Sequence, residues 1–179
     1  FCERHSEVCE LRLRQLEGGF ALDDYDAVVI SGSQWMLSSE EPPEWLITFI
    51  RGIRLPTLGI CFGHQLLARS FGTDVMRGEL VEKDETIEIV SPWPLFAGLG
   101  SQCVMRESHR EFLSPERVHA AGWLVGATSA SCPVEAIRHP TLPLFGVQFH
   151  PERSGPPGEI VFSSFYRVVE SYLHDRKKQ

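Results

Sequence analysis

The feature that most constrains the fold is a short strand-like segment that runs directly into a glycine-flanked cysteine and then into a helical pattern. Residues 56–60 read Pro-Thr-Leu-Gly-Ile, which is typical of a buried strand, and apolar residues at helical spacing follow until Gly72. The sequence Gly-Ile-Cys-Phe-Gly at 59–63 joins the two. A strand that feeds a helix through so short a turn is typical of α/β folds with a parallel sheet.

Similar units recur along the chain. Residues 27–30 predict a short strand that feeds a loop, and residues 44–53 predict an amphipathic helix. Residues 8–13 alternate as a strand would, although a short helix through Leu16 fits them as well. The C-terminal half predicts a closing helix over 160–173 and several short strands, richer in antiparallel pairing, at 86–90, 103–106, 118–121, 134–137 and 144–149.

The composition describes one globular domain and argues against several classes of protein. The chain has 179 residues, of which 42% are hydrophobic and 23% charged, and no apolar run reaches the roughly 18 residues of a membrane span. Its net charge of -7 disfavours a nucleic-acid surface, because phosphate contacts need a basic face. The five cysteines are scattered without close pairing, which disfavours a disulfide scaffold or zinc site and favours a reducing, cytoplasmic compartment.

Cys61 is the candidate nucleophile. The Gly-x-Cys-x-Gly pattern has the form of a nucleophile elbow, in which glycines permit the sharp turn that exposes the central side chain. The start of the following helix favours a thiolate, and the N–H of Phe62 would point at an oxyanion. The alternative is that Cys61 is a small buried hydrophobic residue, and the pattern alone leaves both interpretations open.

A thiol nucleophile needs a base, and His150 fits best among the seven histidines. It follows a predicted strand, as Cys61 does, and the carboxyl ends of parallel strands share one edge of a sheet. Glu152 lies two residues further on and would orient the imidazole as the third member of a triad. His64 is expected to point away from the thiol on its helix, while His109 remains a rival base.

Two segments of the chain resemble the signature blocks of class I (triad-type) glutamine amidotransferases: Gly-Ile-Cys-Phe-Gly-His-Gln-Leu-Leu-Ala (59–68) and Gly-Val-Gln-Phe-His-Pro-Glu (146–152). Residues 24–32 resemble the strand and loop before that family's oxyanion site. Residues 108–111 and 132–139 are similar to the subgroup close to the glutaminase of GMP synthase. The resemblance implies a flavodoxin-like α/β domain, with an open, mainly parallel sheet, helices on both faces and some antiparallel strands in the C-terminal half.

The resemblance also implies a reaction. The glutamine side-chain amide would be hydrolysed through a γ-glutamyl thioester, with ammonia passed to a separate synthetase and with no metal or organic cofactor. Cys61 would be the nucleophile, His150 the acid and base, and Glu152 the residue that orients His150. Further implied roles are backbone oxyanion donors at Phe62, Gly32 and Ser33, and a glutamine pocket lined by Gln65, Ser108, His109 and Glu111.

Two positions depart from the family pattern. The oxyanion loop reads Ser31-Gly32-Ser33-Gln34 where Ser-Gly-Gly-Pro is usual, and Glu111 stands where Asp is usual. These departures motivate a second hypothesis, in which the same triad cleaves a γ-glutamyl peptide or amide. A third hypothesis, a non-enzymatic binding protein on the same fold, is disfavoured by the intact Cys61, His150 and Glu152.

The beginning of the chain carries a further expectation. Members of this family begin with a strand and a helix before the segment that corresponds to residues 8–13. We therefore expect residues 1–179 to form a single amidotransferase-like domain whose first strand and helix are missing, so that Phe1 is not the natural start.

Overall fold

A single sheet of seven strands organises residues 2–178, which are the residues described by this computed structural model. The order across the sheet is β1-β2-β7-β6-β5-β3-β4. The strands are β1 (Val28–Ile30), β2 (Thr57–Ile60), β3 (Val75–Ile89), β4 (Gln102–Leu113), β5 (Leu124–Thr128), β6 (Ala136–Arg138) and β7 (Leu144–Val147).

Strand direction confirms the predicted mixture of parallel and antiparallel pairing. β2 lies between β1 and β7 and is parallel to both. The other four pairings, which involve the strands of the C-terminal half, are antiparallel. Neighbouring strands in the series β7-β6-β5-β3-β4 therefore alternate in direction. As a result, β5 and β4 run in the same direction as β1, β2 and β7.

Helices cover both faces of the sheet and divide its core into two clusters. Within residues 2–178, α1 (Glu44–Gly52), α2 (Phe62–Ser70) and α3 (Pro115–Ala120) pack into one cluster, and α4 (Gly155–Arg176) packs into the other. Successive residues of β7 point to opposite faces, so Leu144 belongs to the first cluster and Phe145 to the second. This arrangement confirms the α/β class. None of the helices in this part of the chain is long and apolar enough to cross a membrane.

α2 lies close against the sheet because two glycines leave room for it. A Cβ on Gly63 would collide with the carbonyl oxygen of Ile30 in β1, and a Cβ on Gly59 would collide with the backbone of Gly63. Neither position accepts a side chain unless the helix moves away. The glycines of the Gly-x-Cys-x-Gly pattern thus fix the position of the turn that carries Cys61.

β4 forms one end of the strand order, yet it curls back to meet the chain that leaves β7. The N–H of His150 donates to the carbonyl oxygen of Arg106 at 2.8 Å, in an isolated antiparallel bridge. The hydroxyl of Ser154 accepts from the N–H of Arg106 at 2.9 Å and donates to the carbonyl of His150 at 2.6 Å. The middle of β4 therefore lies beside the carboxyl ends of the parallel strands.

Several predicted elements are confirmed to within a few residues, among them the strands at 27–30 and 56–60 and the helix at 44–53. The closing helix is longer than its periodicity indicated, since α4 begins at Gly155 and ends at Arg176. The strands predicted at 86–90 and 103–106 are parts of the much longer β3 and β4.

Two strand interpretations are wrong, of which the one at residues 8–13 was left open between a strand and a short helix through Leu16. Residues 8–12 have no regular structure and a short 3-10 turn follows at Leu13–Gln15, because neither side of the alternating pattern is buried and a strand would gain no packing there. Residues 118–121 lie instead in and just after α3. That helix forms because the Ser114 hydroxyl accepts from the N–H of Arg117 and Pro115 occupies the first turn.

Candidate active site

Cys61 joins β2 to α2 in a strained backbone conformation. Its φ of 50° and ψ of -102° make it the only non-glycine residue with a positive φ within residues 2–178. Backbone hydrogen bonds hold the turn on both sides. The N–H of Cys61 donates to the carbonyl of Val147 at 2.8 Å, and its carbonyl accepts from the N–H of Gln65 at 3.1 Å. The sharp strand-to-helix turn predicted from the glycine pattern is therefore present, and such strain is typical of functional sites.

The thiol of Cys61 is 7% exposed and lies between two polar groups. Its Sγ lies 3.7 Å from the carbonyl oxygen of Ser108 and 3.6 Å from Nε2 of Gln148, which donates to it. Gln148 Oε1 in turn accepts from Nε2 of Gln65 at 3.0 Å. Sequence reasoning missed Gln148, although it lies inside the second signature-like segment.

His150 forms a close pair with a carboxylate. Its Nδ1 lies 2.6 Å from Oε1 of Glu152, so Nδ1 donates when that carboxyl is ionised. The opposite ring nitrogen, Nε2, is buried without a conventional hydrogen bond among residues 2–178, while the thiol of Cys61 interacts with the ring. Cys61, His150 and Glu152 are thus neighbours in the structure.

The surroundings of His150 favour its protonated form. Burial alone would lower the pKa of His150, but hydrogen bonding and charge from Cys61 and Glu152 outweigh burial and raise the pKa to about 10. A histidine with this pKa carries a proton at neutral pH. It can donate that proton to a leaving group in its vicinity.

The loop after β1 lies over Cys61 and His150. A Cβ built on Gly32 would come within 3.3 Å of Cε1 of His150 and within 4.0 Å of Cβ of Cys61. Ser33 directs its hydroxyl into its own loop, where Oγ accepts a backbone N–H two residues further on at 3.1 Å. The backbone at Gly32 therefore lies close to Cys61, and the start of α2 at Phe62 follows Cys61 directly.

The four residues predicted to line a glutamine pocket also meet. Gln65, His109 and Glu111 are buried, and Ser108 is half-buried with its carbonyl directed at Cys61. The carbonyl oxygen of Glu111 accepts from Nε2 of Gln65 at 2.9 Å and lies 3.0 Å from Nδ1 of His109. Gln65 Nε2 and His109 Nδ1 therefore already have partners within the protein.

Two other histidines lie near the elbow but lack the contacts of His150. His64 is fully buried on the sheet-facing side of α2, and burial lowers its pKa to about 3. Burial also lowers the pKa of His109, whose Nε2 lies 3.4 Å from a carboxyl oxygen of Glu107. Neither shares the close carboxylate partner that raises the pKa of His150.

A group of buried carboxyls lies next to this site and was not anticipated from the sequence. Glu107 and Glu135 are both fully buried, and Glu85 is 8% exposed. Burial and the charge of Glu135 raise the pKa of Glu107 to about 10, while burial raises that of Glu135 to about 7. These carboxyls do not make a cation site, since no group of three or more His, Cys, Asp or Glu among residues 2–178 has the geometry to hold a metal.

The fold and the grouping of Cys61, His150 and Glu152 are of the kind found in α/β enzymes that use a cysteine. The model of the family described as glutamine amidotransferase class-I matches residues 5–168. The chain therefore belongs to the class-I glutamine amidotransferase family.

Comparisons with individual proteins point to one subgroup of that family. A glutamine-hydrolyzing GMP synthase subunit of Methanosarcina barkeri is 32% identical over 152 residues, which is 84% of this chain and 77% of the relative. The subunit of the same name from Thermococcus kodakarensis is 44% identical over 99 residues, 55% of this chain and 51% of the relative. The solved structure of a putative GMP synthase subunit from Thermoplasma acidophilum has a TM-score of 0.75 and 28% identity, covering 87% of this chain and 78% of that one.

Proposed function

We propose that the chain hydrolyses the side-chain amide of glutamine to glutamate and ammonia through a thioester on Cys61. The observation that carries the proposal is the strained Cys61 beside His150, whose Nδ1 lies 2.6 Å from Glu152. Family membership and relatives named as glutamine-hydrolyzing support glutamine as the substrate. Those names favour glutamine over the alternative of a γ-glutamyl peptide or amide.

Acylation begins when the Cys61 thiolate attacks the amide carbon. The S–C bond forms as the carbonyl electrons move onto oxygen, and N–H groups of Phe62 and of the Gly32–Ser33 loop stabilise the oxyanion. Collapse of this intermediate breaks the C–N bond. Protonated His150 gives its proton to the departing nitrogen, which leaves as ammonia.

Deacylation uses the same residues in reverse roles. Neutral His150 takes a proton from water, and the water oxygen attacks the thioester carbon. The C–S bond breaks, glutamate leaves, and the thiolate and protonated imidazole are restored. Glu152 keeps the ring oriented and stabilises its positive charge. Thiol, imidazole and water supply every bond change, so the proposed reaction uses no metal or organic cofactor.

The remaining predicted residues fit the wall of the substrate site. The carbonyl of Ser108 lies 3.7 Å from the thiol of Cys61, and Gln65 and His109 both contact the carbonyl oxygen of Glu111. We assign them to the glutamine pocket, either as direct contacts or as the framework that holds such contacts. Residues 1–179 act as one domain in this proposal.

The fate of the ammonia follows from the relatives. They are named as subunits of a GMP synthase, a name that implies a second subunit for them. By extension, this chain passes ammonia to a separate synthetase subunit, and both work in the cytoplasm. Neither nucleic acid nor a membrane has a part in the proposed reaction.

Ammonia release from glutamine tests the proposed function. Cys61→Ala and His150→Ala should each lower the rate by about 10³-fold or more, since one removes the atom that forms the thioester and the other the proton donor. Cys9→Ala changes an exposed cysteine outside the site and serves as the control, with an unchanged rate expected. Retained ammonia release in Cys61→Ala would contradict the thioester mechanism.

A further inference from the structure

The carboxylate of Glu111 binds a distant loop. Its Oε2 accepts from the N–H of Leu37 at 3.0 Å, and its Oε1 accepts from the N–H of Ser38 at 2.6 Å. Glu111 is 3% exposed, so both hydrogen bonds are shielded from water. Hydrogen bonds from N–H groups to an ionised carboxylate are stronger than those between neutral groups. Both carboxylate oxygens of this residue are therefore committed to the backbone of residues 37–38.

The segment held in this way is continuous with the loop that covers the thiol. Trp35 stacks on Phe62, the residue after Cys61, with ring centroids 5.7 Å apart and planes 24° apart. The N–H of Trp35 also donates to the hydroxyl of Ser33. Leu37 is 3% exposed and lies in the core cluster of α1 and α2. Residues 33–38 are thus fixed at the ring of Trp35, in the core at Leu37, and on the carboxylate of Glu111.

The backbone of Glu111 is linked to the thiol by a second route. Its carbonyl oxygen accepts from Nε2 of Gln65, which also donates to Gln148, and Gln148 donates to Sγ of Cys61. Glu111 of β4 therefore contacts both the loop at residues 37–38 and the pair of amides that leads to the thiol.

The length of the side chain matters for this contact. An aspartate at position 111 would withdraw the carboxylate by one C–C bond, about 1.5 Å. Donor–acceptor distances of 2.6 and 3.0 Å would then exceed the range of a hydrogen bond unless the loop moved toward β4. The longer side chain of glutamate places its carboxylate within hydrogen-bond distance of the N–H groups of residues 37–38.

We propose that Glu111 is a positioning residue that fixes residues 32–38 over Cys61 and His150, rather than a contact for the amino group of glutamine. This inference rests on the proposed function, because the loop that it fixes supplies the oxyanion donors at Gly32 and Ser33. Each oxygen of Glu111 accepts from a backbone N–H of the loop, so the hydrogen bonds of this carboxylate hold residues 37–38.

Hydrogen–deuterium exchange tests the contact itself, without any activity. In Glu111→Gln the amide offers one acceptor instead of two, so we expect the N–H groups of Leu37 and Ser38 to exchange about tenfold faster or more. Glu79→Gln changes an exposed glutamate on β3 and is the charge-matched control, with unchanged exchange expected. Unchanged exchange at both amides in Glu111→Gln would overturn the proposal, whatever the kinetics.

Steady-state kinetics with glutamine tests the consequence. A positioning role predicts that Glu111→Gln and Glu111→Asp lower kcat by about tenfold or more and change KM little, because the oxyanion donors act in the transition state. A raised KM with unchanged kcat would identify a substrate contact and overturn the proposal. Faster exchange with unchanged kcat would overturn it as well. A wild-type protein without glutaminase activity would instead contradict the proposed function, while the exchange result would still stand.

Discussion

Cys61 is held in one position by contacts on every side of a strained turn. A positive φ at a residue other than glycine costs on the order of 1–3 kcal/mol, and it persists only where neighbours enforce it. Backbone hydrogen bonds to Val147 and Gln65 and the close packing of α2 provide that enforcement. A sulfur held this firmly, with Gln148 donating to it, is ready for attack at a fixed distance from His150.

Glu152 is predicted to set the pH range of the reaction through His150. The pKa of His150 is raised from 6.5 to about 10, so the ring keeps its proton into the alkaline range. Glu152→Gln removes a charge that favours the protonated form, and the pKa of His150 should fall back toward 6.5. We expect the alkaline limb of the kcat/KM profile for ammonia release, measured from pH 6 to 11, to move down by about one pH unit or more.

The matched control for this experiment is Glu170→Gln on α4. Glu170 is an exposed carboxylate further along that helix, so the alkaline limb should stay in place. An alkaline limb that is the same in Glu152→Gln and in the wild type would show that Glu152 does not govern the protonation of His150.

The sequence identified some site residues and missed others for a physical reason. Cys61 and His150 each follow a strand of the parallel part, so the common edge of the sheet predicts that they meet. Gln148, Glu107 and Glu135 belong to the site or its border only through contacts between strands that are far apart in sequence. No periodicity within one strand reveals such contacts.

At the scale of elements, β4 carries much of the site. Alternate residues of this strand point inward, and Glu107, His109 and Glu111 are buried in succession between Met105 and Leu113. Burying three titratable residues on one face lowers the stability of the fold unless each is neutral or is paired with a hydrogen-bonding or charged partner. The raised pKa of Glu107 indicates that this residue is buried in its neutral form, since a protonated carboxyl needs no counter-charge.

Stability is expected to depend on pH through Glu107. The folded protein holds this proton to about pH 10, whereas the unfolded chain releases it near 4.5. Between these values the folded state binds more protons than the unfolded state, so stability falls as pH rises. Glu107→Gln keeps a neutral side chain of similar shape and removes this dependence. The Tm of Glu107→Gln relative to that of the wild type should therefore increase from pH 5 to pH 9. The increase should be about 2–4 °C for each 1 kcal/mol of unfolding free energy that the wild type loses.

Thermal unfolding followed by circular dichroism measures this difference. Glu88→Gln is the control, because Glu88 is exposed on β3, and its Tm difference from the wild type should be nearly constant with pH. A Glu107→Gln variant that is less stable than the wild type at pH 9 would indicate that the ionised carboxylate is the form that stabilises the fold.

The elements themselves were predictable where the sequence contains local signals. The strand and helix around Cys61 follow from apolar periodicity and from the glycines of the turn. The start of α3 also carries a local signal, since Ser114-Pro115-Glu116 is a typical helix start, although residues 118–121 were predicted as a strand. The lengths of β3 and β4 could not be predicted from local sequence patterns. Many residues of these strands are exposed, and the strands extend because they pair with each other.

At the scale of the whole molecule, four separate segments meet at one edge of the sheet. They are the loop after β1, the elbow after β2, the middle of β4 and the chain after β7. The parallel order β1-β2-β7 brings three of them together. The strand pattern predicted that Cys61 and His150 would meet, and the family resemblance implied the loop after β1. The fourth arrives through the bridge between Arg106 and His150, which depends on the curl of the antiparallel part and could not be predicted from sequence alone.

The central claim is that this assembly makes Cys61 uniquely reactive toward a glutamine-like electrophile. A diazo-ketone analogue of glutamine, followed by intact-mass measurement and peptide mapping, tests the claim on the folded protein. We predict one adduct per chain, located on Cys61, slowed by added glutamine and lost in Cys61→Ala, with Cys2, Cys9, Cys103 and Cys132 unmodified. An unmodified Cys61, or labelling of the exposed Cys9 at the same rate, would contradict the account.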